Sequence, residues 1–157
     1  MAAILSGNIS KIFDKAVKAY LSEYMGLAFE EICKEFLLTR AQNLPFVISQ
    51  IGQWWGGNPA TKKEAQIDIV ALSPDRTEII VGSCKYRNET TALGVLTELK
   101  EYTAALGGDF RKTYYYIFSK STFSPALTDA AKSDTSVRLV SLDEIYTIKT
   151  IPKHQFL

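Results

Sequence analysis

The chain has 157 residues, of which 46% are hydrophobic and 22% are charged, and these proportions are ordinary for one soluble globular domain with a sizeable core. Its formal net charge of +1 excludes a global basic field, so any nucleic-acid surface has to be local. No apolar run approaches the length of a membrane span and no signal peptide is evident; we expect a cytoplasmic protein without a membrane partner.

The first part of the chain predicts two helices. Apolar residues recur at helical spacing within residues 1–20, which we assign to a linker or N-terminal helix. A second helix is expected after Ser22, with one apolar stripe over Met25–Leu37 and with Glu30 immediately beside that stripe. Pro45 follows this helix and prevents its continuation.

The middle of the chain predicts a strand and then a β-hairpin. The strand covers residues 46–55 and is followed by a polar loop that contains glycine. Two apolar strands within residues 66–85 are joined by the turn Ser73–Arg76, where proline presets φ and serine or aspartate can bond its own backbone. This hairpin brings Asp68 opposite the Gly82–Ser83 end of the second strand. Asp68 interrupts an apolar run, and a buried carboxylate is costly unless it is paired or holds a metal.

The rest of the chain alternates helices with strands. Residues 90–106 have helical apolar spacing at Leu93, Leu96, Leu99 and Tyr102, and Gly107-Gly108 ends this helix. Ser141 can cap a last helix before the tail. Strands are expected at residues 113–119 and 137–141, with a short helix at residues 128–132 between them. Strands separated by helices predict an α/β fold, a mixed β-sheet flanked by helices on both faces.

The chain contains two cysteines, Cys33 and Cys84, each inside an apolar segment. We interpret both as buried free thiols in a reducing compartment. A disulfide or a zinc site lacks support, because the single histidine, His154, lies in a predicted tail.

Three polar side chains can meet at the end of the hairpin: Glu30, Asp68 and Lys85. Carboxylates on two elements beside a lysine are what a magnesium-dependent phosphodiester hydrolase needs. The carboxylate oxygens hold the cation, and the ammonium group stabilises developing charge or positions the nucleophile. From the residues alone, a cross-strand salt bridge between Asp68 and Lys85, with Glu30 in solvent, is an equally good interpretation.

The segments GLAFEEI, IGQWWGGNP, QIDIVAL and IIVGSCKYR, in this order, resemble the C-terminal domain of a group of archaeal and bacterial P-loop ATPases, the DUF234-type domain. That domain is similar to the PD-(D/E)XK nuclease superfamily, which has the restriction-endonuclease-like fold. The resemblance implies a nuclease-like domain over residues 21–157, with DNA, an N-terminal ATPase domain and a second copy of the chain as partners. The chain itself has no phosphate-binding loop of the type G-x-x-x-x-G-K followed by Ser or Thr, so it cannot hydrolyse ATP by that mechanism.

The resemblance also implies roles for individual residues. The acid on the superfamily's first core helix matches Glu30, and the metal-binding Asp on its second core strand matches Asp68. The lysine of the (D/E)-x-K element matches Lys85, so these three residues are the expected catalytic group. Mg²⁺ would be held by Glu30, Asp68 and the carbonyl oxygen of Cys84. Ser83 stands where the superfamily has Asp or Glu, and a neutral hydroxyl is a weak ligand for magnesium.

Three explanations of Ser83 compete: a degenerate site, an acid supplied from elsewhere in the chain, or an engineered knock-out. The candidate substitute acids are Glu64, Glu78, Glu89 and Glu98. We rank degeneracy first, which gives a DNA-binding, nuclease-like domain with a degenerate or attenuated Mg²⁺-dependent phosphodiesterase site. The alternatives are an active Mg²⁺-dependent DNA endonuclease (a metal-dependent deoxyribonuclease) and a non-catalytic module that docks onto a protein.

The segment around two adjacent tryptophans is the candidate nucleic-acid surface. Trp55 can stack on an unpaired base, and Lys62 and Lys63 can contact phosphate. The alternative is that one tryptophan packs at the edge of the sheet and the other covers a helix.

Overall fold

The structure, a computed structural model, describes residues 2–39, 41, 43–58 and 62–145. Its elements are α1 (Ala2–Thr39), β1 (Gln50–Asn58), β2 (Lys63–Leu72), β3 (Glu78–Lys85), α2 (Leu93–Leu106), β4 (Lys112–Ser119), α3 (Pro125–Ser133) and β5 (Val137–Ser141). The five strands form one sheet in the order β1-β2-β3-β4-β5. The pairs β1–β2 and β2–β3 are antiparallel, whereas β3–β4 and β4–β5 are parallel. The sheet is therefore mixed. Its parallel pairs are possible because α2 connects β3 to β4 and α3 connects β4 to β5.

Helices cover both faces of this sheet, and each face has its own apolar core. Neighbouring residues of β3 alternate between the two cores, since Ile80 belongs to one and Val81 to the other. The first core joins α1 to the sheet through Phe29, Cys33, Phe36 and Leu37. The second joins α2 and α3 to the sheet through Val95, Leu96, Leu99 and Leu127. This is the α/β arrangement that was predicted for a restriction-endonuclease-like core.

α1 is one continuous helix, so the predicted division into two helices near Ser22 is wrong. Serine in a helix interior costs only a fraction of the penalty of proline, and no proline lies within α1. The buried stripe also begins later than predicted, because Met25 is exposed and Phe29 is the first buried residue of the stripe. The boundary between residues 20 and 21 stays a prediction, because a continuous helix does not decide where a domain begins.

β1 begins and ends later than predicted. Residues 46–49 are a loop, and the ring of Phe46 packs against Tyr114 with centroids 6.2 Å apart. Phe46 and Ile48 are partly buried without joining the sheet, whereas Val47 is exposed, so the apolar run at residues 46–49 does not form a strand. At its other end β1 includes Gly56 and Gly57, which were assigned to the loop.

The predicted turn between β2 and β3 is confirmed. The Oδ1 atom of Asp75 accepts hydrogen bonds from the hydroxyl of Ser73 at 2.8 Å and from the N–H of Thr77 at 3.1 Å. These bonds favour the ionised carboxylate, and they hold the pKa of Asp75 below its usual value. The turn places Ile69 directly opposite Gly82, close to the register that the sequence predicted.

Two helices begin at a serine cap, and the cap at Ser141 was predicted. Ser124 accepts the N–H of Leu127 at 3.2 Å, so α3 begins at Pro125, earlier than the predicted residues 128–132. Ser141 accepts the N–H of Glu144 at 3.1 Å, as predicted. The remainder of the predicted last helix and His154 lie outside the described residues.

Within the ranges that the structure describes, none of the helices has the length and apolar character needed to cross a membrane.

Candidate functional site

β2 contains a β-bulge at the position of the anomalous acid. The register of β1 against β2 shifts by one residue, which leaves Asp68 and Ile69 opposite Gln53. Ile67 and Ile69 are two residues apart and yet belong to the cores of opposite faces, because the extra residue reverses the alternation. Bulges re-aim side chains and are frequent beside active sites. The sequence does not indicate the bulge, because the apolar residues of β2 are equally consistent with a regular strand.

Asp68 bonds to β3 through its side chain where the strand pairing ends. The β2–β3 ladder ends at the pair Ile69 and Gly82. Beyond it, the Oδ2 atom of Asp68 accepts the backbone N–H of Cys84 at 2.8 Å, while Oδ1 accepts from Nε2 of Gln66 at 3.4 Å. The carboxylate of Asp68 thus accepts a backbone N–H that would otherwise pair with a neighbouring strand. This hydrogen bond holds Asp68 at the end of the hairpin.

A cavity of about 170 Å³, here called the acid cavity, opens beside this carboxylate. Its lining residues are Gln66, Asp68, Ser83, Lys85, Glu98, Leu99 and Tyr102. Ser83 and Lys85 are two residues apart on β3 and share one wall, as the alternation of a strand predicts. The acid cavity therefore brings together two members of the predicted catalytic group, Asp68 and Lys85, with the degenerate position, and α2 adds Glu98.

Glu98 is the one candidate substitute acid that lines the acid cavity. Glu64 lines a neighbouring cavity, and Glu78 accepts a hydrogen bond from the hydroxyl of Tyr114 at 3.2 Å. Glu98 lies near enough to Asp68 for its charge to raise the pKa of that carboxyl. The sequence could not select Glu98, because its distance from Ser83 depends on how α2 packs against the sheet.

Glu30 approaches the sheet from α1, at the bulge of β2. Its Oε2 atom accepts a hydrogen bond from Nε2 of Gln53 at 3.3 Å, and Gln53 is the residue opposite the bulge. The side chain is partly buried, so it does not point freely into solvent. Glu30 is not among the residues that line the acid cavity. Its contribution to that site is therefore electrostatic, through Asp68 and Lys85.

Burial raises the pKa of both carboxyl groups. For Glu30, desolvation is the largest cause and the charge of Asp68 is the next, while Lys34 and Lys85 act in the opposite direction. For Asp68, desolvation outweighs the hydrogen bond from Cys84 and the charge of Lys85, both of which lower the pKa. Keeping both groups ionised at neutral pH therefore costs folding free energy. Acids with raised pKa values beside a lysine in a cavity are typical of functional sites.

The salt bridge that the sequence left as an alternative is not formed. The described part of the chain has four ion pairs with N···O distances within 4.0 Å, and none joins Asp68 to Lys85. The two side chains line the same cavity without a direct contact of that kind. A purely structural ion pair therefore does not account for a carboxylate at this position.

The acids of the cavity suit a hard cation. Among the described residues, no group of three or more His, Cys, Asp or Glu side chains is arranged to hold a metal ion. Mg²⁺ needs fewer protein ligands than that, since it is commonly bound through one or two carboxylates and keeps several of its waters. Asp68 and Glu98 supply two carboxylates to one cavity, so the residues present fit magnesium. Cys84 contributes its N–H to Asp68, and its role as a metal ligand stays a prediction.

Both cysteines are free thiols, as predicted, with Cys33 buried and Cys84 partly buried. Burial raises the pKa of the Cys84 thiol well above its usual value, and the neighbouring Cys33 adds to this effect. The contact of Cys84 with Asp68 is made by its backbone N–H.

The two tryptophans of β1 have different environments. Trp54 packs against the second core, and a Cβ atom added to Gly56 would lie 2.3 Å from its ring. Trp55 is 65% exposed, and Lys62 and Lys63 at the start of β2 are exposed as well. Their role in nucleic-acid binding stays a prediction.

Comparisons with known proteins match a family model, a protein sequence and a solved structure. The model of DUF234, described as archaeal and bacterial proteins of unknown function, matches residues 1–100. The chain is 29% identical over 114 residues to an uncharacterised protein of Methanocaldococcus jannaschii, a match that covers 69% of this chain and 25% of that protein. The chain thus spans about a quarter of this relative's length. A solved structure, the DNA modification-dependent restriction endonuclease AspBHI, is similar with a TM-score of 0.44 and 9% identity, over 85% of this chain and 31% of that one.

Proposed function

The chain belongs to the DUF234 family of archaeal and bacterial proteins of unknown function, and for this member we propose a metal-dependent phosphodiesterase that cleaves DNA. The observation that carries the proposal is the lining of the acid cavity, where Asp68, Glu98 and Lys85 lie together around Ser83. Glu98 supplies the acid that Ser83 lacks. The proposal therefore favours an active site with a substitute acid over the degenerate site that was ranked first from the sequence.

Asp68 and Glu98 would hold the cation, and Mg²⁺ bound there would polarise the phosphate and activate water. Asp68 is fixed for this role by the N–H of Cys84. Lys85 on the same wall stabilises the negative charge that develops on the phosphate. Its ammonium group needs no metal contact to do so, because opposite charges attract through space over several ångströms.

Glu30 takes a positioning role in this proposal. It accepts a hydrogen bond from Gln53, which lies opposite Asp68 in the bulge. Its negative charge favours the binding of a cation nearby, because Glu30 and Asp68 are costly to keep ionised side by side without one. Its roles as a catalytic residue and as a metal ligand, expected from the resemblance, stay predictions.

DNA as the substrate is part of the proposal, and the exposed residues Trp55, Lys62 and Lys63 on the β1–β2 hairpin support it. The neutral balance of the whole chain is compatible with this, since phosphate contacts can be supplied by a local cluster. An N-terminal ATPase domain, a homodimer and a cytoplasmic location stay predictions.

The proposal is tested by transferring the acid from position 98 to position 83. We expect Glu98→Gln to lower Mg²⁺-dependent cleavage of plasmid DNA about a hundredfold, since a metal ligand contributes several kcal/mol to transition-state stabilisation. The double variant Ser83→Glu/Glu98→Gln should recover cleavage to within about tenfold of the unmodified chain, because it returns the acid to the position of the (D/E)-x-K element. Cleavage rates and calorimetric titration with Mg²⁺ and Mn²⁺ measure both effects.

Glu101→Gln is the matched control, because Glu101 is an exposed acid on the same helix and should leave cleavage unchanged. Equal cleavage by Glu98→Gln and Glu101→Gln would refute the role of Glu98. If the unmodified chain does not bind a divalent cation and no variant cleaves DNA, the proposed activity is wrong. The remaining interpretation is then a DNA-binding domain with a degenerate site.

A further inference from the structure

Two loops follow the carboxyl ends of β3 and β4 and are bonded to each other. They are residues 86–92 and 120–124, here called the edge loops. The N–H of Lys120 donates to the carbonyl oxygen of Lys85 at 3.0 Å, and both the N–H and the carbonyl oxygen of Thr91 bond to the second loop at 2.9 Å. The side chains of the edge loops therefore stand on a backbone that is hydrogen-bonded on both sides.

Lys120 is an exposed cation whose side chain is already held in place. Its Nζ atom donates a hydrogen bond to Oδ1 of Asn88 at 3.1 Å and lies 4.6 Å from the centroid of the Tyr86 ring. The Tyr86 ring in turn packs against Phe29 of α1, with centroids 5.4 Å apart. An ammonium group has three N–H donors, and Asn88 uses one of them. Because the side chain is ordered before any ligand arrives, an anion that binds the other donors costs little further rotamer entropy.

The cations at this edge of the sheet are not in ion pairs. The described part of the chain has four ion pairs, and none of them includes Lys85, Arg87 or Lys120. Glu89 is the single acid of the edge loops, and Asp143 lines a cavity together with Lys120. Neither acid belongs to any of the four pairs. Three positive charges at the carboxyl edge are therefore available to an anionic ligand.

The cations lie on both faces of this edge. Lys85 lines the acid cavity on the side of α2. The next residue, Tyr86, belongs to the opposite face, where it packs against the core under α1. The ammonium group of Lys120 lies over the Tyr86 ring and is therefore on the α1 side, although its backbone is bonded to that of Lys85. A polyanion that leaves the acid cavity across the edge meets Lys85 first and Lys120 next.

We propose that the edge loops bind the phosphate backbone of the DNA duplex whose phosphodiester enters the acid cavity, with Lys120 as the main contact and Arg87 and Asn88 beside it. The inference rests on the proposed function for the identity of the ligand, and it adds a phosphate site outside the cleavage chemistry. Asn88 bonds Lys120 through its oxygen, so its amide nitrogen joins the two cations as a donor. Contacts to phosphate position a duplex without reading its bases, and this binding is independent of the DNA sequence.

The test measures DNA binding without cleavage. Fluorescence anisotropy of a labelled duplex in EDTA gives the association constant at several KCl concentrations. Each phosphate that a cation neutralises contributes about 0.9 to the slope of log K against log[salt] on duplex DNA. We expect Lys120→Gln to reduce this slope by about 0.9 and to weaken binding by the same factor for two duplexes of unrelated sequence. Lys120→Arg keeps the positive charge and should retain the slope.

Lys132→Gln is the matched control, because Lys132 is an exposed lysine in the last turn of α3, which leads away from the carboxyl end of β4 towards the start of β5. It should leave the slope unchanged. Absence of duplex binding, a slope that Lys120→Gln does not change, or an equal reduction by Lys132→Gln would overturn the inference, even for a chain that cleaves DNA. A loss confined to one of the two duplexes would also overturn it, because Lys120 would then read bases. A slope reduced by Lys120→Gln in a chain that never cleaves would reject the proposed phosphodiesterase and keep the phosphate site.

Discussion

Replacing Asp68 with asparagine is expected to lower Mg²⁺-dependent DNA cleavage about a thousandfold while the fold stays intact. Asparagine keeps an oxygen that can accept the N–H of Cys84, the bond that now measures 2.8 Å, and it removes the negative charge that the cation needs. Losses of this size are typical when a charged group is removed from a preorganised site. Initial rates of plasmid cleavage for the two proteins at saturating Mg²⁺ give the ratio.

The same substitution should raise the free energy of unfolding at neutral pH. The pKa of Asp68 in the folded chain is raised above 3.8, first by burial. Below 3.8 both states are protonated, and stability is lost as the pH rises from there through the folded-state pKa. Asp68→Asn removes this loss, so urea unfolding should show the variant gaining on the unmodified chain between acidic and neutral pH.

Asp75→Asn is the control with the opposite sign. The pKa of Asp75 is lowered by the hydroxyl of Ser73 and by Thr77, so its contribution to stability is present above 3.8 and lost as the pH falls through the folded-state pKa. An Asp68→Asn protein that is less stable than the unmodified chain at neutral pH would contradict this prediction. It would mean that the hydrogen bond from Cys84 and the charge of Lys85 stabilise the carboxylate by more than its burial costs.

Phe36→Ala is expected to destabilise the fold by about 3–5 kcal/mol, a large share of the roughly 5–15 kcal/mol that typically holds a domain together. Phe36 is fully buried at 0% exposure, and its ring meets the Phe118 ring edge to face at 6.3 Å. The substitution removes both the transferred apolar surface and that contact, and it leaves a cavity under α1. Because α1 also carries Glu30, the hydrogen bond to Gln53 should weaken with it. Urea unfolding monitored by circular dichroism measures the change.

Leu38→Ala is the control, because Leu38 lies on the same helix. Leu38 is 52% exposed, so its truncation should change the unfolding free energy by no more than about 0.5 kcal/mol. Similar losses for the two variants would show that α1 is held by its helix propensity rather than by its contact with the sheet.

The sequence by itself determined the architecture of the hairpin and the class of the fold. The turn chemistry of Ser73–Arg76 and the apolar runs on either side of it specify hydrogen bonds between near neighbours, so the register came out close to the observed pairing of Ile69 with Gly82. The alternation along β3 likewise placed Ser83 and Lys85 on one wall. Caps such as Ser141 were readable for the same reason, since a cap bonds a residue three positions away.

Only the tertiary structure decided the composition of the site. The bulge at Asp68 arises from the pairing of β1 with β2, and no local pattern marks it. Whether Glu98 or Glu30 reaches the acid cavity depends on how α2 and α1 lie on opposite faces of the sheet, and the structure brings Glu98 to the lining and leaves Glu30 outside it. Periodic patterns report which face of an element is buried. They carry no information on which residues of distant elements meet, because that distance is set by the packing of side chains between those elements.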